Sequence, residues 1–149
     1  MIKNVYLAGA MECYGISNKA KEWRDYAKEF FEKYSNFRAI SPTDFYEYGK
    51  KYHTNENEVF KFDLHKIKES SVVLVNLANL RKSVGTCDEI MYAYMNNIPV
   101  VGFLDIDRNL STEEIIELVH PWKYLQINRI ETGSKAMLNA MNYIMEYYG

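Results

Sequence analysis

The chain has 149 residues, 48% of them hydrophobic and 26% charged, which are the proportions of one globular domain (1–149) with a substantial core. A formal net charge of -2 gives no electrostatic case for a nucleic-acid polymer or a membrane surface as partner, and no apolar run approaches the length of a membrane span. The two cysteines, Cys13 and Cys87, form no CxxC and no metal-ligand pattern, so the expectation is a reduced, cytoplasmic protein.

The opening run "NVYLAGA" (4–10) is aromatic and β-branched, ends at a glycine and reads as a first strand. It is too short for a signal peptide. A helix is predicted over 17–34, with Ser17 as cap and Ala20, Trp23, Ala27, Phe30, Phe31 and Tyr34 at helical spacing. "FRAI" (37–40) is a short second strand closed by Ser41-Pro42. The polar, Tyr-rich stretch 43–58 reads as a loop with a partial helix. A helix follows over 59–70 with Phe60, Leu64 and Ile67 inward. "VVLVNL" (72–77) is apolar on both faces, as in a central parallel strand. After a loop at 78–84, "GTCDEIMYAYMNN" (85–97) reads as a helix, "PVVGFL" (99–104) as the fourth strand, and 111–119 as a helix capped by Ser111 or Thr112. The fifth strand is predicted at "YLQI" (124–127), and a closing helix at 134–148. This alternation implies an α/β, doubly wound, flavodoxin-like five-stranded parallel sheet with helices on both faces.

In such sheets ligands sit outside the carboxyl ends of the strands, where the strand order reverses. For the order 2-1-3-4-5 the flanking loops are "GAMECYG" (9–15) and "ANLRKSVG" (78–85). Neither GxGxxG nor GxxxxGK[ST] occurs, so no dinucleotide or nucleoside-triphosphate loop is indicated. Gly9 permits close backbone approach. Ser83 and the amides near Gly85 can hold a sugar hydroxyl or a phosphate, or Ser83 can simply cap the helix. Glu89, four residues after Gly85, falls in the first or second turn, where the helix dipole favours its anion by about 0.3–1 kcal/mol. It is either a solvated helix acid or a nucleophilic carboxylate. Asp63 precedes the apolar strand and can reach the same sheet edge. Asp88 points roughly 100° away from Glu89 and reads as exposed. Tyr46, Tyr48 and Tyr52 form either a base-stacking lid or a loop packing its own rings. His53 and His65 have no metal-ligand spacing.

"VYLAGAM", "DLHKIKESSVVLVNL", "SVGTCDEIMYAY" and "IPVVGF", in that order between residues 4 and 104, resemble the nucleoside 2-deoxyribosyltransferase superfamily, which includes nucleoside 5′-monophosphate N-glycosidases. The shared pattern is a first strand ending in Gly, an Asp before an apolar strand, and S/D-x-G-x-x-x-E followed by Tyr-Ala. The resemblance implies that Glu89 attacks the anomeric carbon and forms a glycosyl-enzyme intermediate, that Asp63 contacts the base and assists its protonation, and that Tyr6 orients the nucleophile. It also implies substrate contacts from Gly9, Ala10, Met11, Ser83 and Gly85, and from Asn109 or Ser111 across a subunit boundary. The implied partners are a small-molecule nucleoside or nucleotide and a free nucleobase, in a homo-oligomer with shared sites and no metal or organic cofactor. Two departures conflict. Ser83 replaces the Asp common in transferases, which suits a phosphate, yet Glu12 stands where the nucleotide hydrolases offer an Arg. Arg81 is an alternative cation. Deoxyribosyl transfer is the leading expectation; hydrolysis of a nucleoside or nucleotide, and a non-catalytic nucleotide sensor, are the alternatives.

Overall fold

The computed structural model describes residues 2–11, 19–45 and 55–149. Ser17, Glu12, Cys13, His53 and the tyrosines Tyr46, Tyr48 and Tyr52 lie outside them. The described elements are β1 (Lys3–Gly9), α1 (Lys19–Tyr34), β2 (Phe37–Ile40), α2 (Glu56–Lys68), β3 (Val72–Asn76), α3 (Val84–Met95), β4 (Val100–Asp105), α4 (Thr112–Val119), α5 (Pro121–Leu125), β5 (Arg129–Gly133) and α6 (Ala136–Tyr148). The five strands form one all-parallel sheet in the order β2-β1-β3-β4-β5, a doubly wound α/β arrangement as the alternation predicts. The order reverses between β1 and β3, whose register pairs Tyr6 with Val73 and Gly9 with Asn76.

Each face of the sheet carries its own core, because successive strand side chains point to opposite sides. Val5, Leu7, Leu74, Val101 and Phe103 pack against Phe31 of α1 and Met141 and Ile144 of α6. Tyr6, Ala8, Val73, Val75 and Val100 pack against Ile67 of α2, Ile90 and Ala93 of α3 and Val119 of α4. Tyr6 therefore belongs to the layer that also contains α3.

Three local expectations are corrected. "YLQI" is not the fifth strand: Pro121–Leu125 is a short helix, and β5 lies at Arg129–Gly133. Pro121 suits a helix first turn because its φ is preset and its N–H is missing, and His120 Nδ1 accepts the Trp122 N–H at 3.1 Å. Asn128 then starts the ladder twice over. Its N–H donates to Val100 O, and its side-chain Oδ1 accepts from Val100 N, each at 2.8 Å. Second, α2 starts at Glu56, where Asn55 Oδ1 accepts the Glu58 N–H. Third, Phe60 and Tyr34 face outward at 49% and 59% exposure; Phe62 packs edge-on against Phe45 instead.

A Cβ added at Gly102 on β4 would lie 2.8 Å from Leu77 Cδ1 and 3.1 Å from Leu77 Cγ, and Leu77 is itself buried. Gly102→Ala is expected to cost about 1–3 kcal/mol through overpacking, read from denaturant midpoints at unchanged m-value.

Candidate active site

β1 delivers Tyr6 to the layer under α2 and α3, and α3 delivers Glu89. Ser83 starts α3 by accepting the Thr86 N–H, with its hydroxyl also 2.6 Å from Thr86 Oγ1. Counting from that cap, Glu89 lies in the second turn, beyond the reach of the terminal dipole. The fully buried Ile90 and Ala93 fix the rotation of the helix. Glu89 is thereby aimed at β1, where the Tyr6 hydroxyl donates a short hydrogen bond to its Oε2.

Glu89 keeps part of its surface in contact with solvent, but protein crowds its carboxyl on nearly every side. The expected dipole preference for the anion is overruled. Burial pushes the Glu89 pKa up to about 8 from the ordinary 4.5. The Tyr6 hydrogen bond opposes this, the negative charge of Asp63 on α2 adds to it, Arg24 on α1 opposes it and the neighbouring Asp88 adds to it. Desolvation penalises only the charged form, so the carboxyl holds its proton well above the usual carboxylate range.

The structure thus gathers Tyr6, Glu89 and Asp63 at the switch point between β1 and β3. Gly9 lies there too. A Cβ on it would stand 3.0 Å from the Trp23 ring and 3.3 Å from Asn76 Cβ, so the packing leaves no room for a larger residue. Ala10 is buried and Met11 half-buried beyond it. Gly85 has only open space where a Cβ would point, and it lies about 6 Å of helix rise before Glu89. Asn109 and Ser111 follow β4 at the same sheet edge, but their contacts are local. Ser111 forms a capping box with Glu114, and Asn109 Oδ1 would meet a Cβ on Gly133 at 2.6 Å. No hydrogen bond joins either to Glu89. Arg81 is spent on the Glu117 carbonyl, through Nε at 3.0 Å and Nη2 at 2.7 Å. His65 is an exposed partner of Glu69. Burial raises the Cys87 pKa, and its Sγ donates to Leu80 O at 3.5 Å, so it is no ready thiolate.

Two residues at this edge escaped the sequence reading. Asn76 ends β3 beside Gly9 and turns the chain by accepting the Ala78 N–H at 3.0 Å. Arg24 is 1% exposed, and it reads in the sequence as one more charge on an amphipathic helix. Its signal was present: 20, 24, 27 and 31, the buried positions of α1, follow the i, i+4, i+7, i+11 rule. Among the described residues no group of three or more His, Cys, Asp or Glu could hold a metal ion, and no helix is long and apolar enough to cross a membrane.

The raised Glu89 pKa has a consequence for stability. The unfolded chain loses this proton near 4.5 and the folded chain only near 8, so the contribution is complete below the lower value and lost as pH rises through the upper one. Glu89→Gln is expected to be more stable than the parent above about pH 8, by a few kcal/mol in order of magnitude, and the gap should close towards pH 4. Urea titrations of both proteins across that window check the sign.

Comparison with known families and structures adds its own findings. The family model described as nucleoside 2-deoxyribosyltransferase matches residues 5–141. No curated protein matches. Among solved structures, a conserved protein from Enterococcus faecalis V583 superposes with TM-score 0.74 at 16% identity, covering 96% of this chain and 99% of that one. A 2-desoxiribosyltransferase from Leishmania mexicana gives TM-score 0.69 at 15% identity, with 99% of each chain covered. A CMP N-glycosidase from Clostridium botulinum gives 0.56 at 18%, covering 97% of this chain and 99% of that one. At these identities the likeness is one of fold. The family model, which spans nearly the whole length, carries the assignment: the chain belongs to the nucleoside 2-deoxyribosyltransferase family.

Proposed function

We propose that this protein cleaves the N-glycosidic bond of a small-molecule 2′-deoxynucleoside and transfers the deoxyribosyl group to another nucleobase. The observation that carries the reading is the Glu89 carboxyl, held by the Tyr6 hydroxyl at the strand switch point with Asp63 beside it. The Glu89 anion attacks C1′; a C–O bond forms, the C1′–N bond breaks and its electron pair leaves with the base. Asp63 supplies a proton to the departing base. The same two-carboxyl logic operates in retaining glycosidases. The nitrogen of a second base then attacks C1′, releases Glu89 and returns its proton to Asp63. Tyr6 fixes the attacking oxygen.

The electrostatics fit this division of labour. The Asp63 charge opposes ionisation of Glu89, and the productive arrangement has Glu89 ionised with the proton on Asp63. Gly9, Ala10, Met11, Ser83 and Gly85 contact the substrate. Asn109 and Ser111 await a neighbouring subunit in a homo-oligomer.

Hydrolysis of a nucleoside or a 5′-nucleotide is the second reading. It is favoured by the uncharged Ser83 cap and the open space over Gly85 at the start of α3, where helix amides suit a phosphate.

A chromatographic panel of nucleosides and nucleotides, with and without a second free base, separates the two: a new nucleoside means transfer, free sugar alone means hydrolysis. Glu89→Ala is expected to lower base release by about 10³-fold or more with the fold retained; near-normal turnover on every active substrate would overturn the assignment. Asp63→Asn is expected to lose about 10²–10⁴-fold. The parent's kcat/KM should rise as pH passes through about 8, where the Glu89 nucleophile ionises, and in Asp63→Asn, which removes a negative charge opposing that ionisation, the rise should move to lower pH.

A further inference from the structure

β1 outruns its neighbour on one side. Its pairing with β2 stops at Tyr6 and Ile40, whereas its pairing with β3 continues to Gly9 and Asn76. The Asn4 carbonyl accepts from Ser71 N on the β3 side. By strand alternation the carbonyls of Leu7 and Gly9 therefore face away from β3, past the end of β2. Buried carbonyls need donors, and Arg24 supplies them. Its Nε donates to Leu7 O at 3.2 Å and its Nη2 to Gly9 O at 2.9 Å, while Nη1 closes on Ala20 O in the first turn of α1 at 2.7 Å. The guanidinium also stacks on the Trp23 ring, 4.7 Å from its centroid. One side chain thus continues the missing ladder and ties the end of β1 to the start of α1.

We propose that Arg24 is a positioning residue of the active site: it fixes the carboxyl end of β1, where Gly9, Ala10 and Met11 meet substrate, and supplies the positive charge that steadies the Glu89 anion. The inference rests on the reading of Glu89 as nucleophile. Its two parts need the same residue type, because only a planar fork with a permanent charge satisfies several fixed carbonyls at once. Four groups bear on the Glu89 charge among the described residues: the Tyr6 hydroxyl from β1, the Asp63 carboxylate from α2, Arg24 from α1 and Asp88 on α3 itself. Arg24 is the cation of the set. A purely architectural arginine would leave the Glu89 titration where it is.

The test follows the Glu89 carboxyl by carbon-13 NMR, its signal identified as the one lost in Glu89→Gln, in the parent and in Arg24→Met and Arg24→Lys. Circular dichroism and thermal melting establish folding first. Titration in Arg24→Met is expected to move up by roughly half a unit or more, and in Arg24→Lys to stay close to the parent. An unmoved titration in folded Arg24→Met overturns the proposal. Should Arg24→Met not fold, the stability lost on the neutral but polar Arg24→Gln is compared in the parent and Glu89→Gln backgrounds above pH 8. The two losses must differ; equal losses overturn the proposal. These readouts use no substrate. A titration that moves while the pH profile of base release does not would sink the catalytic reading of Glu89 and leave the electrostatic link standing.

Discussion

A carboxyl group withdrawn from water against a phenol is the constraint on which this structure turns. Glu89 gives up much of its hydration and receives one hydrogen bond from Tyr6 in return. That exchange works only at one relative placement of α3 and β1. The placement is set by elements with no chemistry of their own: the β1–β3 register, the Ser83 cap that starts α3, and Ile90 and Ala93, which lock the helix rotation. Apolar packing determines where the acid points, and the acid in turn accounts for a tyrosine on an otherwise aliphatic central strand.

Charge around the pair is arranged in opposition. Asp63 and Asp88 resist ionisation of Glu89, and Tyr6 and Arg24 favour it. Burial dominates all four, so the resting carboxyl is neutral at ordinary pH while remaining within reach of its charged form. A group poised in this way lies within reach of ionisation near neutral pH. A helix dipole acting alone would have produced a permanently charged surface acid instead.

Much of this was legible in the residues. The double-faced apolar run of β3 marks a central parallel strand, and the spacing from Ser83 to Glu89 places the acid on a helix, where α3 holds it. What escaped was set by context. "YLQI" carries the composition of a strand, but Pro121 and the His120 cap start a helix there, and the true edge strand "RIETG" is too polar to stand out. The charge state of Glu89 follows from neighbours contributed by β1 and α2, which no local window contains. Arg24 sits on the buried stripe of α1, but its role emerges only with the β1 carbonyls it serves. Periodicity alone points Phe60 inward, whereas it is Phe62 that packs against Phe45.

The separation of Tyr6 from Glu89, 83 positions along the chain, bears on how the molecule comes into being. β1 is the first strand, yet it pairs on both sides, and its β3 partner is contributed only after α1, β2 and α2 have been passed. Closing so long a loop costs entropy before any contact rewards it. During synthesis the strand bearing Tyr6 must therefore wait, half-paired, until β3 has followed it. The Tyr6–Glu89 contact can form only once α3 has followed β3.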